Sequence, residues 1–442
     1  MKALSLFKIE ERKSNVKTEI IAGLTTFMTM AYILIVQPGA ICGYGPDAGI
    51  TDPSGVFISK EAIMVTTALI SAVITFLMAF YANMPFALST GLGSNFMFGA
   101  LIQSGQCTYG RAMLITLISG IIFVILSALG IRDLIVRMIP KNIKISISTA
   151  IGFFIAYIGF KNTGIGTYTS GIAMGDFTDP AVILAIVGLL LIGVLTAYKV
   201  PGAILIGIVA ITLLGIPFGV TALPESFFKI PAMGEIKNIV FHLDAGGLFQ
   251  ASTLTLMFIV FVGDFFSTLG TVLGVAGKAN MLDKDGNLPD IQKPFLVDAI
   301  GTCIGSLFGC TTITTFVESS SGVEAGGRTG MTSLTTGFMF LLTIFAAPLF
   351  LMIPNAATGP ALIFVGFLMI SGFAKVDFSD FTEAFGPFVM VMFTAFAGSI
   401  AAGISAGILA YVFIKVATGR FKEVHPGMYI LSIPLIMYFI FN

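Results

Sequence analysis

Apolar runs of membrane-crossing length recur from one end of this chain to the other, and nothing else in the sequence limits its fold so strongly. A helix that crosses the hydrocarbon core needs about 20 mostly apolar residues. Inside lipid its backbone polar groups must be paired within the protein, which a helix does by itself. Of the 442 residues, 56% are hydrophobic and 10% charged, whereas about a quarter of an average soluble domain is charged. No long polar linker interrupts the runs, so one all-α polytopic membrane protein is expected. The formal net charge of zero says nothing about nucleic acid, but no basic face develops that would support such a partner. The charged start, MKALSLFKIEERKSNVK, leads into no short apolar stretch with a small-residue cleavage site, so no signal peptide is expected. Cys42, Cys107, Cys303 and Cys310 lack metal-ligand spacing and read as small packing residues. Neither a metal nor a cofactor is implied.

Fourteen apolar segments can be placed. Seven lie near residues 19–41, 60–82, 86–103, 111–130, 143–161, 180–198 and 201–219. Seven more lie near 250–276, 294–309, 311–327, 330–353, 358–374, 381–397 and 399–416. Residues 1–18 would form a cytoplasmic tail and 220–249 an extracytoplasmic loop. Residues 417–442 would form a C-terminal segment whose last run, MYILSIPLIMYFIFN, is short for a span. With the N-terminus inside, only Lys60, Arg111, Lys161, Lys229 and Lys237 of the 23 lysines and arginines fall outside. That asymmetry is what orients multi-span proteins. An internal repeat is also visible. DFTD at Asp176–Asp179 opens the sixth span and DFSD at Asp377–Asp380 the thirteenth. Ile204, Gly207, Ile208 and Ala210 match Ile404, Gly407, Ile408 and Ala410. Two repeats of seven spans, an odd number, would enter the membrane from opposite sides, the inverted-repeat plan of secondary transporters.

The third span of each half reads badly as a helix. MPFALSTGLGSNFMFGA, Met84 to Ala100, holds a proline, three glycines, Ser89, Thr90, Ser94 and Asn95. In the tenth span, Thr311 to Thr315 are β-branched, which favours a strand. Glu318 and three serines follow. A strand running into a half-helix at membrane depth is tolerated only inside protein or along a cavity. The two segments are therefore expected to cross near the midplane, pair their short strands and aim half-helix N-termini, with free amides, at a common centre. Glu318 is the sharpest candidate there, because an acid at bilayer centre costs about 2.5–3.5 kcal/mol on insertion scales. It reads as a carboxylate that binds ligand and carries a proton. Thr90, Asn95 and Phe86 from the third span, with Val317 and Ser319 beside Glu318, are further candidate binding residues. In the eighth span, FVGDFFSTLGTVLGVAG brings Asp264, Ser267 and Thr271 to one helix face. Asp264 is either a second coupling and binding group or an interhelical hydrogen-bond partner. Asp298 stands open between structural partner and relay. Glu324 and Arg328, four apart, have the order of a helix ion pair. His242 and His425 fall in loops and are not read as coupling groups.

Several of these stretches are similar to a known family. AGLTTFMTMAYILIVQP, PFALSTGLGSN, AIGFFIAYIGFKNTGI, DFFSTLGTVLGVAGKANMLD and TTFVESSSGVEAGGRTG, in that order, resemble the nucleobase–cation symporters. Within them they look most like the AzgA-like branch of purine permeases for adenine, guanine and hypoxanthine. The resemblance implies fourteen spans in two inverted sevens, with short strands in the third and tenth. It implies a core domain of spans 1–4 and 8–11 and a gate domain of spans 5–7 and 12–14. Glu318 of VES occupies the place of the acid that holds the base by its ring N–H groups, with the Val317 backbone beside it. Ser267, in DFFST, stands where many members of the branch carry aspartate. A serine can hydrogen-bond a purine edge but carries no charge, so coupling would run through Asp264 and Glu318. ALSTGLGSN likewise replaces the ALAPGMGLN of many members, with Asn95 retained.

The function expected is import of purine nucleobases by proton symport and alternating access, not enzymatic turnover. The chain has no HExxH, no nucleophile–base pairing and no P-loop. The setting implied is the plasma (inner) membrane, with lipid as surrounding partner and a homodimer formed through the gate domain. An anion carrier on the same plan is the alternative, although Glu318 at the centre would repel anions. A channel is disfavoured, because filters are usually symmetric rings around a pore.

Overall fold

The computed structural model describes residues 7–44, 47–129, 138–167, 173–224, 226–282 and 288–441. Among them, nine helices are long and apolar enough to cross a membrane. The first run forms α1 (Val16–Met30) and α2 (Ile33–Cys42), divided at Ala31–Tyr32. α3 (Lys60–Leu77) begins at Ser59, whose hydroxyl accepts from the Ala62 amide, and continues through a wider turn at Met78–Ala82. The third run breaks as expected, into strand β1 (Leu88–Thr90) and helix α4 (Leu92–Gln103). α5 (Tyr109–Ala128), α6 (Lys141–Asn162), α7 (Pro180–Ala197) and α8 (Ala203–Gly215) complete the first half. The second half opens with α9 (Ala251–Lys278) and α10 (Gln292–Leu307). Strand β2 (Ile313–Thr315) and a single short helix, α11 (Ser319–Glu324), follow. Then come α12 (Gly330–Thr343), α13 (Asn355–Ile370), α14 (Phe381–Ala397) and α15 (Ile400–Ala417). The final run, α16 (Pro426–Phe441), is helical and 16 residues long.

β1 and β2 pair antiparallel, Leu88 with Thr315 and Thr90 with Ile313. Gly91 N to Thr312 O at 2.7 Å and Phe316 N to Ala87 O at 3.0 Å extend the ladder at both ends. A two-stranded ribbon still has two outer edges, and unpaired backbone groups inside a membrane protein are costly. Here each edge is met by a threonine of a neighbouring helix. Thr75 of α3 accepts from Leu88 N at 3.1 Å and donates to Leu88 O at 3.2 Å. Thr302 of α10 does the same for Ile313, at 3.0 and 3.1 Å.

The helices pack in two groups. α1 and α3 pack on α12, α5 packs on α9 and α10, and the strand segments lie among them. In the other group α6 packs on α13 and α14, α7 on α8 and α13, and α14 on α15. The two motifs that suggested a repeat fold alike. Asp176 accepts from the Thr178 amide and hydroxyl while Asp179 caps α7. Asp377 accepts from the Ser379 amide and hydroxyl while Asp380 caps α14. Gly207 sits where α8 presses on Ile192 of α7, and Gly407 where α15 presses on Met390 of α14; in both places a side chain would collide.

Candidate functional site

Between the two groups lies a cavity of about 1320 Å³. One wall comes from α1, the start of α4, α9 and the segment after β2; the other comes from α6, the turn between α7 and α8, α13 and the start of α15. Glu318, Val317, Asp264, Ser267 and Thr271 all line it. The i, i+3, i+7 spacing on α9 therefore does present Asp264, Ser267 and Thr271 to one space. Glu318 is buried, and its Oε1 accepts from the Tyr32 hydroxyl at 2.6 Å. Tyr32 is fully buried at the break between α1 and α2, and sequence reasoning did not single it out. The Glu318 carbonyl accepts from Thr29, also on the wall, at 3.4 Å. Val317 is about half exposed on the cavity surface.

Asp264 is 7% exposed; its Oδ2 lies 3.2 Å from the Thr302 hydroxyl, whose one proton it shares with Ile313 O, and its Oδ1 has no partner among the described residues. Asp298 stands one turn before Thr302 on α10. Its Oδ2 takes the Thr315 amide at 2.8 Å and the Thr315 hydroxyl at 3.3 Å, so it secures β2, and its Oδ1 is likewise unpartnered there. Both readings of Asp264 thus meet in one residue: it reaches a neighbouring helix and also faces the cavity.

Four other candidates stand behind the wall. Asn95 is fully buried, donating to Thr90 at 3.1 Å and accepting from the Thr311 hydroxyl. Those bonds use both Asn95 and Thr90 to hold the two broken segments together. The Ser319 hydroxyl accepts from Ala87 N at 3.0 Å, and Phe86 is buried with its carbonyl taking Ser333 Oγ at 2.8 Å. Aromatic contact with the cavity comes instead from Phe266, Phe316 and Phe364.

Two expectations are corrected. The amides of Ser319, Ser320 and Ser321 bond back to the carbonyls of Phe316, Val317 and Glu318. The chain is already turning at Phe316, so α11 offers no row of free donors. The opening of α4 at Leu92–Ser94 lines the cavity in its place, and the first N–H groups of a helix have no intrahelical acceptor. The Glu324–Arg328 pair is also absent. α11 ends at Glu324, so the spacing is no longer helical; Glu324 meets Lys278 at 2.6 Å and Arg328 donates to Val323 O and Gly327 O.

Comparison with known proteins places this geometry in context. The Xan_ur_permease profile, described as a permease family, matches residues 17–406. A permease of Methanocaldococcus jannaschii is 39% identical over 438 residues, 98% of this chain and 97% of that one. The guanine/hypoxanthine permease PbuO of Bacillus subtilis is 34% identical over 436 residues, 97% and 98% of the two chains. The adenine permease AdeP of Escherichia coli is 33% identical over 441 residues, 99% and 95%. Among solved structures, the transmembrane domain of the cyanobacterial bicarbonate transporter BicA aligns with TM-score 0.61 and 17% identity, covering 89% of this chain and 97% of that one. Murine Slc26a9 in an inward-facing state gives TM-score 0.64 and 12% identity, covering 92% and 69%. These two likenesses concern fold alone.

Proposed function

Since the chain belongs to this permease family, we propose that it imports a purine nucleobase (guanine, hypoxanthine or adenine) by proton symport with alternating access. The observation that carries the reading is Glu318, a carboxylate buried in the wall of a cavity between two helix groups and oriented by Tyr32. A planar, largely uncharged base offers in-plane N–H donors that such an oxygen can accept, and faces that stack on aromatic side chains. Asp264, with one oxygen unpartnered among the described residues and on the same wall, is the second coupling group; Ser267 and Thr271 offer hydroxyls on that wall. The carboxylates disfavour the alternative of an anion as cargo.

In this reading the group holding α1–α5 and α9–α12 is the core domain, and α6–α8 with α13–α15 is the gate. The matched turns before α7 and α14 support two inverted repeats of seven spans. The excess of basic residues on the N-terminal side supports a cytoplasmic N-terminus in the plasma membrane, and gate helices facing lipid would meet in a homodimer. The test is Glu318→Gln in proteoliposomes. The variant should reach the membrane yet lose uphill uptake driven by a pH gradient. Normal pH-driven accumulation by the variant would sink the role given to Glu318.

A further inference from the structure

A neutral base does not account for the other charges of the cavity. Five lysines line it, Lys141, Lys144, Lys199, Lys278 and Lys375. Lys278 is matched on the wall by Glu324 at 2.6 Å. Lys144 lies with its ammonium 5.8 Å from the Phe266 ring, next in sequence to Ser267. Lys141, Lys199 and Lys375 are exposed and make no ion pair among the described residues. The two remaining acids of the wall, Glu318 and Asp264, are buried. The cavity is therefore polarised, with carboxylates deep inside and cations at its mouth. Insertion rules explain why lysines gather on one side of a membrane; they do not require those lysines to face a solute cavity. The space is also generous. At about 1320 Å³ it exceeds the roughly 300–1,000 Å³ of an ordinary small-molecule site, leaving room beyond a bare purine.

We infer that this mouth is a purine nucleotide site, in which Lys141, Lys199 and Lys375 hold the phosphate of a nucleoside 5′-monophosphate while its base enters the Glu318 site. The inference rests on the nucleobase reading above. Lysine suits the task as a point charge for phosphate, and a monophosphate carries about −1.5 to −2 at pH 7. A nucleotide seated this way competes with the base and holds the cavity open on the lysine side, so a product of base salvage restrains further uptake.

Calorimetry on the full chain in phosphatidylcholine nanodiscs tests this. Guanine, hypoxanthine and adenine are each compared with their nucleoside and 5′-monophosphate, and with inorganic phosphate. The monophosphate should bind at least about tenfold tighter than the nucleoside at low salt, with the gap closing as salt screens it. Free base should displace it. Lys141→Ala with Lys375→Ala and Lys199→Asn should remove the gap and leave base affinity unchanged; asparagine is used at 199 because that backbone is left-handed, φ 57°. The matching triple arginine variant should keep the gap, which separates loss of charge from loss of fold. Equal affinity for nucleoside and monophosphate, or a monophosphate that the base cannot displace, overturns the inference. So does a gap that vanishes once phosphatidylglycerol is included, since lipid headgroups would then own the lysines. Failure of every base to bind overturns the nucleobase reading and this inference with it; base binding without the monophosphate gap overturns this inference alone.

Discussion

Glu318 and Tyr32 form the contact on which the site depends. Among the described residues the carboxylate has one side-chain partner, the Tyr32 hydroxyl at 2.6 Å, so tyrosine fixes which oxygen remains for a ligand. A hydrogen bond to a charged group contributes about 1.5–3 kcal/mol, and about 1.4 kcal/mol is a factor of ten in affinity. Tyr32→Phe is therefore expected to weaken base binding by about tenfold or more, read as an increase in Kd, and to lower the melting temperature as well, because it strands a buried carboxylate oxygen. An unchanged Kd would show that Glu318 is oriented by something else. Glu318 was legible in the sequence because an acid in an apolar chain demands a reason. Tyr32 was not. It is one aromatic in a long apolar run, and its partner lies 286 residues away, a pairing that only helix packing decides. Asn95 shows the opposite case. Its polarity within a broken span marked it as a ligand group, but its amide is consumed by Thr90 and Thr311.

At the scale of elements, the paired strands turn two interrupted spans into one rigid crossing. Asn95 belongs to that crossing, so Asn95→Ala should act on stability before specificity. It strands the buried Thr311 hydroxyl, and an unsatisfied buried group costs about 1–3 kcal/mol. A lowered melting temperature with an unchanged ranking of bases is expected; a changed ranking at constant stability would return Asn95 to the binding site. The strand itself was legible, since five β-branched residues in a row favour extended backbone. The devices that close its edges were not, because Thr75 and Thr302 read as ordinary mid-helix threonines, which commonly bond their own preceding turn. The repeated aspartate turns were legible and carry a pH prediction outside the membrane. The Thr382 hydroxyl, the Thr382 amide and Arg420 hold the Asp380 carboxyl down at about 2, against about 3.9 for a free aspartate. A depressed folded pKa means that this stabilisation is complete above about pH 4 and lost as pH falls through about 2. Asp380→Asn keeps a capping oxygen but removes the titration. Its melting temperature should fall less steeply than that of the parent between those values, and parallel curves would refute the assignment.

At the scale of the whole molecule, the packing of two helix groups around one cavity is what alternating access requires. Each wall belongs almost entirely to one group, so a relative shift of the groups can close one opening and form another without rebuilding either. The side on which basic residues gather could be counted from the sequence. Which of them face the cavity could not, because that depends on how α6, α13 and the α7–α8 turn are set against α9. The arrangement makes a prediction that a channel cannot share. Ser148 of α6 lines the cavity on the wall that α6 shares with α13 and the start of α15. With the four native cysteines replaced, Ser148→Cys should react with a membrane-impermeant thiol reagent from the lysine side in the absence of base. Bound base should slow that reaction, both by filling the cavity and by shifting the population of states, since a ligand moves such an equilibrium only through its differential affinity. Reaction from the opposite side should be negligible while the lysine side is open. Equal reactivity from both faces at once, insensitive to base, would describe a continuous pore and would defeat the two-group mechanism as a whole.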